Sequence, residues 1–154
     1  PLAGDLRLIT SSMKINADLE RIGDQAVNIA ENALTLIPQP PVKPLIDIPR
    51  MAEVAEGMIR DALDAFVKRD ANLARSVLSR DDEVDELKDQ VFRELLTYMM
   101  ADPGTIQRAL ALILISRNLE RIADHATNIA EDVIFIAEAR DVRHHALERG
   151  EAER

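Results

Sequence analysis

The stretch LERIGDQAVNIAE, Leu19 to Glu31, returns as LERIADHATNIAE, Leu119 to Glu131, one hundred residues later. Ten of the thirteen letters are identical, and the charged letters are copied along with the apolar ones. In the first copy Leu19, Ile22, Ala26, Ile29 and Ala33 recur at three- and four-residue steps. In the second, Leu112, Leu119, Ile122, Ala126, Ile129, Ala130 and Val133 share one face. That is the period of an amphipathic α-helix. A helix written twice predicts an all-α chain built from two related units.

The rest of the chain agrees. Of 154 residues, 47 % are apolar and only 3 % aromatic, a helix-bundle composition. The net charge of −9 argues against a nucleic-acid partner, because phosphate backbones are met by basic surfaces. With no cysteine, disulfides, thiolate metal sites and a cysteine nucleophile are excluded. The longest unbroken apolar run, Ala109 to Ile115, is far short of the roughly 20 residues of a membrane span.

Four helices are expected. The first covers residues 1–37. Residues 38–49 hold five prolines and form a stiff linker. The second covers about 50–68, with Pro49 in its first turn and Met51, Val54, Met58, Ala62 and Phe66 inward. Asp70 caps the third, about 71–100, whose apolar arc includes Leu73, Val77, Val84, Leu87, Val91, Leu95 and Tyr98. The turn ADPGT, with Asp102 capping and Pro103 opening, leads to the last helix, which runs to about Ala137. Residues 140–154 form a charged tail that has lost the apolar repeat. The second copy closes a complete three-helix bundle over residues 50–139. The first copy has no helices before it, so it is read as the third helix of an incomplete first bundle. Its bare apolar stripe invites a homodimer or an exchange of segments.

The polar face of the repeat carries Glu20, Asp24, Asn28 and Glu31, and again Glu120, Asp124, Asn128 and Glu131. Such a row is ordinarily a solvated face. Three features weigh against that reading. Both copies keep it. Glu20 and Asp24, and Glu120 and Asp124, are like charges at i, i+4, each costing a few tenths of a kcal/mol in an isolated helix. The third helix adds another such pair, Asp81 and Asp85, at the edge of its apolar arc. If that helix runs antiparallel to the last, four carboxylates converge and hold a cation. An all-oxygen site suits Mg²⁺, Mn²⁺, Ca²⁺ or iron, and accepts zinc.

Other chemistry is thin. His125 stands where the first copy has Gln25 and is read as a wall residue rather than a phosphorelay histidine. No Glu-x-x-His pair supports a ferritin-like di-iron site. No nucleophile triad, phosphate loop or acid–base pair is present, so no catalytic apparatus is expected. The alternative to a metal site is a structural interaction module whose acidic faces dock a basic partner.

The doubled motif, together with RDDEVDELKDQVFRELLTYM (Arg80 to Met99) and PLAGDLRLITSSMKINADLERIGD (Pro1 to Asp24), resembles the PhoU family of phosphate-specific transport accessory proteins. The likeness runs to about Arg140 and begins at the family's third helix. It implies tandem three-helix bundles and a cytoplasmic, non-enzymatic negative regulator of the phosphate-starvation response. The implied partners are the phosphate ABC transporter with its ATPase and the membrane sensor histidine kinase, so the chain would touch the membrane through partners only. The family's acidic E(D)-x-x-x-D metal motif maps onto Glu20 and Asp24, Asp81 and Asp85, and Glu120 and Asp124, with Asn28 and Asn128 as weaker additions. Iron, zinc, manganese or magnesium are the implied ions. Glu20 and Asp24 lack a partner pair and are expected to be half a site.

Overall fold

The computed structural model describes the backbone of residues 2–152 and the side chains of residues 2–139. Its helices are α1 (Leu2–Leu36), α2 (Asp47–Lys68), α3 (Ala71–Leu78), α4 (Asp81–Ala101) and α5 (Ile106–Ala152), with a 3₁₀ turn at Pro103–Thr105. No strand occurs among the described residues.

The Pro-rich segment ends α1 at Leu36, because consecutive prolines remove the amide donors a helix needs. Helix α2 begins at Asp47, three residues earlier than expected, with Pro49 inside its first turn. It stops at Arg69, which takes a left-handed conformation (φ 55°) and returns its amide to Ala65 and Phe66. The next residue opens α3: the Asp70 carboxylate accepts the Leu73 amide at 3.0 Å, the expected cap. Asp102 caps the later turn in the same way, accepting from the Gly104 amide at 2.9 Å.

The single helix expected over 71–100 is two. Ser79 and Arg80 form a turn, and α4 restarts at Asp81. The Ser76 and Ser79 hydroxyls bond back to the carbonyls of Leu73 and Ser76 and so compete with the helical ladder. Asp81, Asp82 and Glu83 fill the first turn of α4, where negative charge complements the helix dipole. The acid run is therefore also a helix-start signal. The last helix continues past Ala137 to Ala152, so the tail of 140–154 does not begin with a break in the backbone. Its side chains, including His144 and His145, lie outside the described residues.

Helix α5 is the hub. Helices α2, α3 and α4 pack on one side of it and α1 packs on the other, touching chiefly α5. The core joins Met51, Met58, Ala62, Val77, Val84, Val91 and Leu95 to Leu112, Ala126, Ile129, Ala130 and Val133. Phe66 packs at its edge. Tyr98, expected inward, is exposed beside the turn that ends α4. On α1 only Ser11 and Ile15 are buried, while Leu6, Ile9, Met13, Val27 and Leu34 are exposed. No described helix is long and apolar enough to cross a membrane.

Candidate metal centre and the polar seam beside it

Helix α4 does run antiparallel to α5, as the turn between them requires, and its first two turns lie against the middle of α5. Asp81 and Asp85 are thereby brought to Glu120 and Asp124, close enough that each carboxylate feels its neighbours' charge. The Asp81 carboxyl is pushed up to about 6, first by burial and then by Asp85, Asp124, Asp82 and Glu120. Asp85 is raised by burial and by Glu120, against the counter-charge of Lys88. Asp124, more exposed, is also raised by burial, Glu120 and Asp85. Asp81 Oδ1 is buried with no hydrogen-bond partner. A buried, acceptor-only oxygen in a group of like charges fits a cation.

Lys88 already supplies one. Its ammonium forms an ion pair with Glu120. Among the described residues, no three acidic or histidine side chains stand together as a ready ion cage. A bound ion therefore requires the carboxylates to turn inward and Glu120 to leave Lys88.

The sign of the pH dependence follows from Asp81. A carboxyl held above its ordinary 3.8 takes its proton more readily folded than unfolded. Its support for the fold is complete below that ordinary value and is lost as pH rises through about 6. In chelator, stability should rise as pH falls from 7 to 5, by about 1 kcal/mol once solvent screening is allowed for. Thermal melts of Asp81→Asn should show a flatter profile over that window.

The other four predicted residues are placed elsewhere. Glu20 and Asp24 are exposed on α1, with no second acid pair against them. The Asn28 and Asn128 amides find partners outside the quartet. The Asn28 amide approaches Asn118 at 3.5 Å, and the Asn128 amide approaches Asp18 at 3.4 Å. His125 Nδ1 also meets Asp18, at 2.8 Å, in the same seam between α1 and α5. Along the α5 acid row Glu120 is half-buried, while Asp124, Asn128 and Glu131 are exposed. A hub helix is covered on two sides, so its polar row borders both neighbours.

The seam has a symmetry. Exchanging each residue for its repeat mate turns Asp18–Asn128 into Asn118–Asn28, and both contacts are present. Helices α1 and α5 thus cross antiparallel about a quasi-two-fold axis near Gly23 and Ala123, the midpoints of these pairs. Asp18 and Asn118 are the residues that motif reading missed. The signal was available: residues with period-matched mates that disagree in charge, Asp18 against Asn118, just outside the copied stretch.

The family model described as PhoU domain matches residues 1–33 and 48–133, breaking at the Pro-rich segment. The chain belongs to the PhoU family. It is 48 % identical to a PhoU homologue of Aquifex aeolicus, named a phosphate-specific transport system accessory protein, over 98 % of this chain and 69 % of that protein. It is 46 % identical to the Pseudomonas putida homologue of the same description, over 99 % of this chain and 60 % of that one. The crystal structure of PhoU from Pseudomonas aeruginosa superposes with a TM-score of 0.86 at 44 % identity, covering 90 % of this chain and 67 % of that one. The phosphate transport system regulatory protein PhoU from Streptococcus pneumoniae gives 0.79 at 30 % identity, covering 88 % and 64 %. The chain therefore spans about three-fifths to two-thirds of these relatives' length.

Proposed function

We propose that the chain is a non-enzymatic, metal-binding regulator of phosphate uptake and of the phosphate-starvation response, acting in the cytoplasm on the phosphate ABC transporter, its ATPase and the sensor histidine kinase. The relatives' description as transport accessory proteins supports the setting. The observation that carries the metal is the orphaned Asp81 Oδ1 within a repelling quartet. A divalent or iron-type ion held by Asp81, Asp85, Glu120 and Asp124 would clamp α4 to α5 and fix the outer surface of that hairpin. Glu20 and Asp24 occupy the equivalent positions on α1 and would complete a second site when acids from another helix face them. The exposed apolar residues of α1 favour a homodimer.

Elemental analysis tests the assignment. Protein purified without chelator should carry bound metal. Glu120→Ala combined with Asp124→Ala should lose the share held at the quartet, and unchanged stoichiometry would remove these residues from the site.

A second reading has its own observation. The ion pair between Lys88 and Glu120 shows that an ammonium group already neutralises part of the quartet. Phe92, Leu96, Leu110 and Leu114 are exposed on α4 and α5. A metal-free docking module would use acids and apolar residues of these two helices to receive a basic amphipathic partner.

A further inference from the structure

At the quasi-two-fold crossing of α1 and α5 lies a recess of about 420 Å³, lined by Arg21, Gln25, Arg121, Asp124 and His125. Two pairs among these are repeat mates: Arg21 with Arg121, and Gln25 with His125. Among the described residues, neither arginine takes part in an ion pair. That is notable in a chain with 28 acidic residues against 19 basic ones. Gln25 Oε1 is buried and has no hydrogen-bond partner. His125 spends Nδ1 on Asp18, which leaves Nε2 unassigned.

We propose that this recess binds a phosphate-type oxyanion that still carries a hydroxyl group, gripped between Arg21 and Arg121. The donor count argues for a tetrahedral anion. Each guanidinium presents a planar fork of N–H groups that matches two oxygens. A carboxylate has only two oxygens and satisfies one fork; a phosphate has four and can engage one on each side. The acceptors argue for the hydroxyl. Gln25 Oε1 and the Asp124 carboxylate can only receive protons in hydrogen bonds. Sulfate near neutral pH has no O–H to give them and would be repelled by Asp124. Hydrogen phosphate, or a phosphate monoester with one proton, gives an O–H to either. In the lining itself two guanidiniums face one carboxylate, with Asp18 behind His125 and the rest of the quartet behind Asp124. None of this uses a metal ion, but Asp124 belongs to both the recess and the carboxylate quartet, so anion binding is tested with metal removed.

Isothermal titration calorimetry of the full chain, in chelator so that no metal can anchor the anion, tests the proposal. Sodium phosphate should give a saturable heat, and sodium sulfate should bind at least about tenfold more weakly, as expected for losing a hydrogen bond to a charged group. Arg21→Gln with Arg121→Gln should weaken phosphate binding by at least about a hundredfold. A matched control, Lys68→Gln with Arg93→Gln, removes the same charge at exposed positions elsewhere and should bind as the native chain does. Helical circular dichroism confirms that both variants fold. O-Phosphoserine separates the two sources of the ligand: tighter binding than inorganic phosphate assigns the recess to a phosphorylated partner, weaker binding to free phosphate, and either ranking upholds the site. Absence of a saturable phosphate heat, equal binding of sulfate, or an equal loss in the control would overturn it.

Discussion

Manganese added to chelator-stripped protein should raise the melting midpoint, and the gain should vanish in the chain carrying Glu120→Ala and Asp124→Ala. An ion that binds only the folded state stabilises it by mass action, about 2.7 kcal/mol at one hundred times the dissociation constant. For a chain of this size that is a shift of roughly 5 to 10 °C. The quartet should respond strongly because its ground state is unfavourable. Asp81, Asp85 and Asp124 are all raised by burial and by the charges of neighbouring carboxylates. Lys88 sharpens the test, because it competes for Glu120. Lys88→Ala should lower the midpoint of the stripped protein by removing the internal counter-charge, and should increase the gain from manganese. A docking face without a metal site behaves otherwise: divalent ions would then act only through screening, and sodium chloride at matched ionic strength would reproduce their effect.

How far the sequence reaches into this site depends on which contacts are local. Helix period placed Leu112, Leu119, Ile122, Ala126, Ile129, Ala130 and Val133 on one face, and all seven are buried. Asp70 and Asp102 were legible as caps because a cap is decided within three residues. The meeting of Asp81 and Asp85 with Glu120 and Asp124 was legible because a short turn forces α4 and α5 antiparallel. Two things were not. The break at Ser79 and Arg80 hides in a run that keeps its helical period on both sides, and only the three acids after it mark a new helix start. The seam was hidden because Asn28 and Asn128 were judged against their own helix. Their partners, Asn118 and Asp18, lie some ninety or more residues away and become visible only once α1 and α5 are known to cross about a quasi-two-fold axis.

The same letter in the two copies should give opposite results when it is changed to an acid. Ala26 and Ala126 occupy equivalent positions in the repeat. Ala126 is fully buried, on the side of the hub that faces the core. Ala26 is exposed on α1, which packs on α5 and leaves much of its own surface open. A carboxylate at position 126 must lose its hydration without a cation or donor built to receive it, and it must also displace close-packed neighbours. An uncompensated buried charge costs about 3–5 kcal/mol, and overpacking adds about 1–3. Native stability is typically about 5–15 kcal/mol, so Ala126→Asp should leave a large unfolded fraction at moderate temperature. Ala26→Asp should change stability by no more than about 0.5 kcal/mol, the usual range for an exposed site. Urea denaturation of the two variants reads the difference directly. Equal losses at both positions would mean that α1 is covered in solution on the face shown open here, as a second copy of the chain would cover it. Dilution then separates the cases: loss of stability at position 26 that depends on protein concentration belongs to an interface between copies, and loss that does not belongs to packing within one chain.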